Sequence, residues 1–212
     1  MKLILLGAPG AGKGTQGELL SKKLNIPTIS TGNMLREAMA NGSELGKQVK
    51  QLMDGGCLVS DDIIMKLIGD RICQPDCEQG FILDGVPRTL SQAEAMEAAG
   101  IRIEHVVSLE VDDDEIAKRM SGRRVCTECG VPYHIVSNPT RIVGVCDRCG
   151  GEVKIRKDDE PETVKRRLEI YHATTEVLKG YYAERGILRL VSGNQPIMGT
   201  HADILKAIGV VV

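Results

Sequence analysis

The 212-residue chain has no tryptophan and only five aromatic side chains, Phe81, Tyr133, Tyr171, Tyr181 and Tyr182. Stacking platforms for single-stranded nucleic acid are therefore scarce. An excess of charge is missing too. The 27 Lys+Arg face 29 Asp+Glu, a formal net charge of −2, which argues against a generally nucleic-acid-binding surface. No apolar run approaches the roughly 20 residues that a membrane span needs. The apolar start Leu3-Ile4-Leu5-Leu6 runs straight into Gly7, Pro9, Gly10 and Lys13, so no signal-peptide core forms. Repeats, linkers and low-complexity tracts are absent. What remains is the expectation of a soluble, cytoplasmic, globular protein, with one good-sized core and room for small inserted lobes but not for two full domains.

Seven cysteines are present, an odd number that disfavours complete internal disulfide pairing. Four form two Cys-x-x-Cys pairs, Cys126/Cys129 and Cys146/Cys149, with sixteen residues between them. That is the spacing of a zinc site rather than of a disulfide framework. Four thiolates on two turns can face one tetrahedral ion, and a site filled by four protein ligands is structural. Zinc is the expected metal, although iron or cobalt suit the same thiolates. Cys57, Cys73 and Cys77 have no comparable pattern and are expected to be ordinary half-buried thiols. The segment 122–159 is rich in Gly, Pro, Cys and Arg. It is too small to hold itself together by apolar burial alone, so it is expected to be an inserted lobe organised by the metal.

Elsewhere short apolar runs alternate with helical ones. Strands are expected at 2–7, 27–29, 80–84, 105–111 and 187–191, and helices at 13–24, 32–40, 43–54, 60–73, 90–99, 112–121, 161–184 and 200–208. Ser43 and the run Ser60-Asp61-Asp62 read as helix caps, and Asp112-Asp113-Asp114-Glu115 resembles a capping box. Two short β-like pieces, 124–126 and 133–136, fall in the cysteine lobe. Repeated β-α-β units with apolar strands imply an α/β fold with a mostly parallel sheet covered on both faces.

The string Gly7-Ala8-Pro9-Gly10-Ala11-Gly12-Lys13-Gly14-Thr15 follows the first strand and opens the first helix. Glycines let backbone N–H groups curl around phosphate oxygens. The helix N-terminus adds partial positive charge, and Lys13 adds a full one. The general phosphate-loop pattern places Ser or Thr directly after the Lys; here Gly14 intervenes before Thr15. The reading is a nucleoside-triphosphate site on a P-loop NTPase-type sheet.

This string, with Ser30-Thr31-Gly32-Asn33-Met34-Leu35-Arg36 and Leu83-Asp84-Gly85-Val86-Pro87-Arg88-Thr89, resembles the adenylate kinase family. Gly122-Arg123-Arg124, Arg156-Lys157-Asp158-Asp159 and Arg167 extend the match in order over nearly the whole chain. It is similar to the bacterial long form, whose lid is an inserted segment that in many members carries four cysteines on zinc. The resemblance implies a core of residues 1–29, 60–121 and 160–212, a helical AMP-binding insertion at 30–59 and a zinc-ribbon-like lid at 122–159. The two insertions are expected to move, closing to keep water from the phosphoryl group. Implied partners are ATP, AMP and ADP with Mg²⁺ and a structural Zn²⁺, without nucleic acid or membrane. A monomer is sufficient.

The resemblance also implies roles. The phosphoryl transfer itself would rest on Lys13, Arg88, Arg123, Arg156 and Arg167, with Asp84 orienting Mg²⁺ through water. Donor ATP would lie on Gly10, Ala11, Gly12, Lys13, Gly14 and Thr15, with Arg119, Arg123, Pro132, Tyr133 and the backbone of Gln195 at its sugar and base. Acceptor AMP would meet Thr31, Arg36, Cys57, Leu58, Val59, Gly85, Val86, Pro87, Arg88 and Gln92, and its phosphate Arg156 and Arg167. Arginine suits this work because its planar fork grips phosphate and stays charged. A Gln92 amide can offer adenine one donor and one acceptor. Asp158 and Asp159 are expected to hold the lid arginines, and His134 to pack or hydrogen-bond within the lid.

Asn33, Val86 and Ser137 depart from the family's commoner residues, an Asp, a Phe and an aromatic. None of these changes removes a phosphate-binding cation. Two other functions remain compatible with the residues: a kinase of the same fold acting on UMP or CMP, and a nucleotide-gated zinc-ribbon module that binds nucleic acid.

Overall fold

A computed structural model describes residues 1–211. The chain runs β1 (Lys2–Gly7), α1 (Lys13–Leu24), β2 (Thr28–Ser30), α2 (Thr31–Ala40), α3 (Glu44–Asp54), α4 (Asp61–Ile72), β3 (Phe81–Asp84), α5 (Leu90–Ala98), β4 (His105–Glu110) and α6 (Asp113–Gly122). The segment expected to form the lid, called the lid below, follows with β5 (Arg123–Cys126), β6 (Pro132–His134) and β7 (Val153–Lys154), and α7 (Pro161–Ile170), α8 (Leu178–Glu184), β8 (Leu188–Ser192) and α9 (Ile197–Ala207) come after it.

Five strands form one parallel sheet in the order β2-β3-β1-β4-β8. In a strand successive side chains point to opposite faces, and here both faces are covered. Leu3, Leu5, Ile82, Val107 and Leu109 pack on one side with Leu20, Ile116 and Ile204. Ile4, Leu6, Ile29, Leu83 and Val106 pack on the other with Ile68, Met96 and Leu178. Burial on both faces explains why the strands read as continuous apolar runs rather than alternating ones. Each fully buried Leu or Ile contributes roughly 1.5–3 kcal/mol.

The strand order also places the site. From β1 the chain crosses to β2 on one side, and from β3 it crosses to β4 on the other. A crevice therefore opens beyond the carboxyl ends of β1 and β3, where ligands of open α/β sheets bind. The loop after Gly7 and the terminal residue of β3, Asp84, both face it. Asp84 is in register with Leu5 of β1 and Ser30 of β2.

The lid is a separate three-stranded antiparallel sheet, β6-β5-β7. Its buried apolar cluster is only Cys126, Tyr133 and Cys146. The strand β7 is too short to carry a period of its own, and the sequence did not announce it.

Three local expectations are corrected. Ser43 caps α3 by accepting the Gly46 N–H at 3.1 Å, but neither Ser60 nor Asp112 makes a side-chain cap. Asp112 instead accepts from the Asn194 amide at 2.9 Å. The single helix expected over 161–184 is interrupted by a π-turn, Tyr171–Thr175. Thr174 bonds back to the Ile170 carbonyl at 2.7 Å, a pattern that loosens a helix, and Thr175 reaches across the molecule to Arg88.

Leu83 is fully buried and Leu190 in β8 is 62% exposed. Leu83→Ala should therefore cost about 3 kcal/mol and Leu190→Ala less than about 0.5 kcal/mol, measured by denaturant unfolding. Equal losses would contradict the two-sided burial of β3.

Candidate active site and metal centre

The phosphate loop folds as its glycines require. Gly12 takes φ 98° and caps α1 without any side chain, so the first N–H groups of the helix stay open to an anion. Lys13 donates to the carbonyls of Gly7 at 2.7 Å and Ala8 at 2.8 Å. Burial pulls its pKa down to about 8; the Asp84 carboxylate resists, while Arg88, Arg167 and Arg123 add to the depression.

Arg36, Arg88, Arg123, Arg156 and Arg167 join Lys13 around the crevice. For Arg36, Arg88 and Arg167 burial is the leading cause of a lowered pKa, with neighbouring carboxylates and arginines pulling in opposite directions. Arg156 is depressed to about 9, first by burial and then by Arg36 and Arg123. Its Nε is buried with no hydrogen-bond partner.

The counter-charges are few. Asp159, with its side chain wholly buried, takes Arg123 through both oxygens, one contact at 2.7 Å, and Arg167 at 3.3 Å. Asp158 takes Arg167 at 2.9 Å. Burial pushes the Asp158 carboxyl up, but Arg167, Arg36, Arg156 and Arg123 hold it below the usual carboxylate range. Among the described residues the Asp84 carboxylate has no hydrogen-bond or ion-pair partner. Six cations thus face three carboxylates, an imbalance that a bound anion would relieve.

Most of the residues expected around the acceptor nucleotide come together. A small cavity is walled by Thr31, Cys57, Leu58, Val59, Gly85, Arg88 and Gln92, as expected, and also by Gly32, Leu35, Met53 and Ile64. Val86 and Pro87 are buried and are not among its walls; Val86 packs into the core. Gly85 sits at φ 85°, and a Cβ there would come within 3.1 Å of both Arg88 Nη2 and Thr31 Oγ1. The Thr31 hydroxyl and Arg88 Nε both donate to the Gly85 carbonyl, at 3.0 and 2.9 Å. Asn33 gives Arg36 a neutral oxygen at 2.7 Å in place of a carboxylate.

Two positioning residues escaped the sequence. Thr175 in the π-turn donates to the Arg88 carbonyl at 2.8 Å, and Asp61 accepts from Thr89, Ser91 and Gln92. Burial raises the Asp61 pKa, but the hydrogen bonds from Ser91, Gln92 and Thr89 hold it below its ordinary value. Neither residue lies near its partners in sequence.

Among the residues expected at the donor nucleotide, Arg119 ties α6 to the loop after β8, through Glu115 at 2.9 Å and the Gly193 carbonyl at 2.8 Å. The Gln195 side chain donates to the Ser192 carbonyl and to Asp203. Tyr133, expected at the donor nucleotide, is 7% exposed. Its hydroxyl lies 3.3 Å from Cys146 Sγ and accepts the Asp147 N–H at 2.8 Å, so the ring belongs to the lid's interior. His134 accepts the N–H groups of Val136 and Ser137, each at 3.1 Å, within the lid as expected.

The four lid sulfurs lie within 4.8 Å of one another, and the pairs Cys126/Cys149 and Cys129/Cys146 are each 3.5 Å apart. A tetrahedral ion with metal–sulfur bonds of about 2.3 Å needs sulfurs about 3.8 Å apart. The donor set therefore fits zinc. Of the three remaining cysteines, Cys57 is half-buried as expected, while Cys73 is exposed and Cys77 buried. No helix among the described residues is long and apolar enough to cross a membrane.

Comparison with known proteins gives a consistent result. The family profile described as adenylate kinase matches residues 5–187. The chain is 51% identical to the adenylate kinase of Caldicellulosiruptor bescii and 50% identical to that of Caldicellulosiruptor saccharolyticus. Each of these alignments covers 99% of this chain and 100% of the relative. The adenylate kinase of Lachnospira eligens is 48% identical over the same shares.

Two outcomes follow from this geometry. The unfolded chain holds the Lys13 proton more tightly than the folded one. The lysine therefore weighs on stability below about pH 8, and the burden lifts as pH rises toward its ordinary 10.5. A bound triphosphate raises the folded pKa, so binding should take up protons at about pH 9 and almost none at about pH 7. Calorimetry in buffers of different ionisation enthalpy checks this; equal uptake at both would contradict it. Stripping the metal with a chelator should free four thiols and remove on the order of 10 kcal/mol of folding free energy from the lid. Protease cleavage within 123–156 reports the loss, and an uncut, chelator-treated lid would contradict it.

Proposed function

The chain belongs to the adenylate kinase family of nucleoside monophosphate kinases, and from that membership we propose how its crevice carries the terminal phosphoryl group of ATP to AMP, giving two ADP. Bringing four phosphates together is an electrostatic problem before it is a chemical one. The observation that supports the reading is the excess of buried cations, Arg156 with its unpartnered Nε foremost.

The donor phosphates lie on the N–H groups of residues 10–15 and on Lys13. Arg123, Arg156 and Arg167 gather around the transferring group. Arg36 and Arg88 hold the acceptor phosphate, which is already anionic, so no general base is needed. Asp84, free of protein partners, is placed to hold the waters of Mg²⁺, which supplies charge neutralisation when it arrives with ATP. Asp158 and Asp159 do not act as acid and base; they keep the arginines aligned until phosphate oxygens share them. Gln92 reads the acceptor base, and Arg119 stacks on the donor base.

Zn²⁺ on Cys126, Cys129, Cys146 and Cys149 holds the lid and takes no part in the transfer. The insertions 30–59 and 122–159 close over the nucleotides. Both subsites lie on one chain, which lets it act as a monomer. Seven cysteines with none in a disulfide suit a reducing cytoplasm.

Phosphorus NMR of the metal-loaded protein with Mg·ATP and, separately, AMP, UMP, CMP or GMP tests this reading. The expected result is rapid ADP formation with AMP alone. Preference for a pyrimidine acceptor would keep the phosphate machinery and overturn the base assignment, whereas no transfer to any acceptor would overturn the reading altogether.

A further inference from the structure

We propose that Asp61 is a specificity-determining positioning residue: it fixes the orientation of the Gln92 amide and so makes the acceptor cavity select a 6-amino purine over a 6-oxo purine. The inference rests on the role proposed for Gln92 and extends it to a residue that touches no nucleotide. A side-chain amide can turn over, exchanging its donor and acceptor ends. Here it cannot do so freely. Gln92 Oε1 accepts the backbone N–H of Arg88 at 2.7 Å, and Gln92 Nε2 donates to Asp61 Oδ1 at 2.6 Å. The Arg88 N–H can only donate, and an ionised carboxylate can only accept. The amide therefore stands between an obligate donor and an obligate acceptor, and turning it over would break both contacts in a nearly dry setting, since Gln92 is 2% exposed.

Asp61 is itself held. Its second oxygen accepts from the Thr89 hydroxyl at 3.1 Å and from the Ser91 hydroxyl, so the carboxylate is fixed from the start of α5. After these contacts Gln92 keeps one N–H and one oxygen lone pair, and it forms part of the cavity wall. Those two groups match the amino donor and the ring-nitrogen acceptor on an edge of adenine. A 6-oxo purine presents the reverse order, an O6 acceptor beside an N1–H donor, and would fit only the turned-over amide.

The experiment compares kcat/KM for AMP and IMP, with Mg·ATP as donor, in the full-length metal-loaded protein. In Asp61→Ala, and in Asp61→Leu as a second removal of similar volume, KM for AMP should rise roughly tenfold while kcat stays within about threefold. The AMP-to-IMP ratio of kcat/KM should fall by at least about tenfold. Asp61→Asn, which can still turn an oxygen toward Gln92, should recover most of the ratio. Ser91→Ala, which touches only the other carboxylate oxygen, should leave it unchanged. An unchanged ratio in the Ala and Leu variants, or a parallel loss of kcat with both acceptors, would overturn the inference while leaving the base-reading role of Gln92 intact. An unaltered protein that does not prefer AMP over IMP would remove that role, and this inference with it.

Discussion

The structure is organised around positive charges held close together and away from water. Lys13 and five arginines surround a crevice that offers three carboxylates, and Arg156 has a buried Nε with nothing to bond. Left to itself such a cluster is unfavourable, because like charges repel more strongly as water is excluded. The scaffold must therefore be stable enough elsewhere to carry it. The two-sided sheet, whose strands β1, β3 and β4 bury residues such as Leu3, Ile4, Leu83 and Val106 completely, supplies that margin. The cluster is costly without a ligand and favourable with one, which is how a site binds polyanions without being saturated by its own side chains.

Precision comes from holding one arginine at its backbone and its side chain, through near neighbours and through one residue remote in sequence. The Arg88 N–H is bonded to Gln92 and its carbonyl to Thr175, while its guanidinium returns to Gly85. Three elements thereby fix Arg88, the proposed phosphate ligand: the turn after β3, the first turn of α5 and the π-turn that follows α7. Helix α7 also carries Arg167. The distortion in that helix, which looks like a flaw in its own right, is what brings Thr175 to Arg88. The lid follows a different logic. It has almost no apolar core, and it brings together four sulfurs that suit one ion.

Local features were legible in the sequence. Gly12 and Lys13 between an apolar strand and a helix, the two Cys-x-x-Cys pairs and the parallel β-α-β pattern each declare themselves over a few residues, and the structure bears them out. The misreadings are nonlocal. Gln92 meets Asp61 across 31 positions and Thr175 meets Arg88 across 87, distances over which a lone Asp or Thr gives no signal. Asp112 looked like a cap because its neighbours are acidic, yet Asn194, 82 positions away in the loop after the adjacent strand β8, claims it. The motif places Tyr133 among the expected nucleotide contacts but gives no sign that its hydroxyl lies against Cys146. Local periodicity records which face is buried; it does not record which distant polar group will be waiting there.

The most direct test of the central claim is the thermal unfolding midpoint of Arg156→Met, measured without nucleotide. If the buried cations are a burden carried for the sake of an anion, the variant should melt about 2–4 °C higher than the unaltered protein, equivalent to about 1 kcal/mol. Adding Mg·ATP and AMP should then stabilise the variant less than the parent. A variant that melts lower in the absence of nucleotide would show that Arg156 supports the fold rather than the ligand, and would contradict the account.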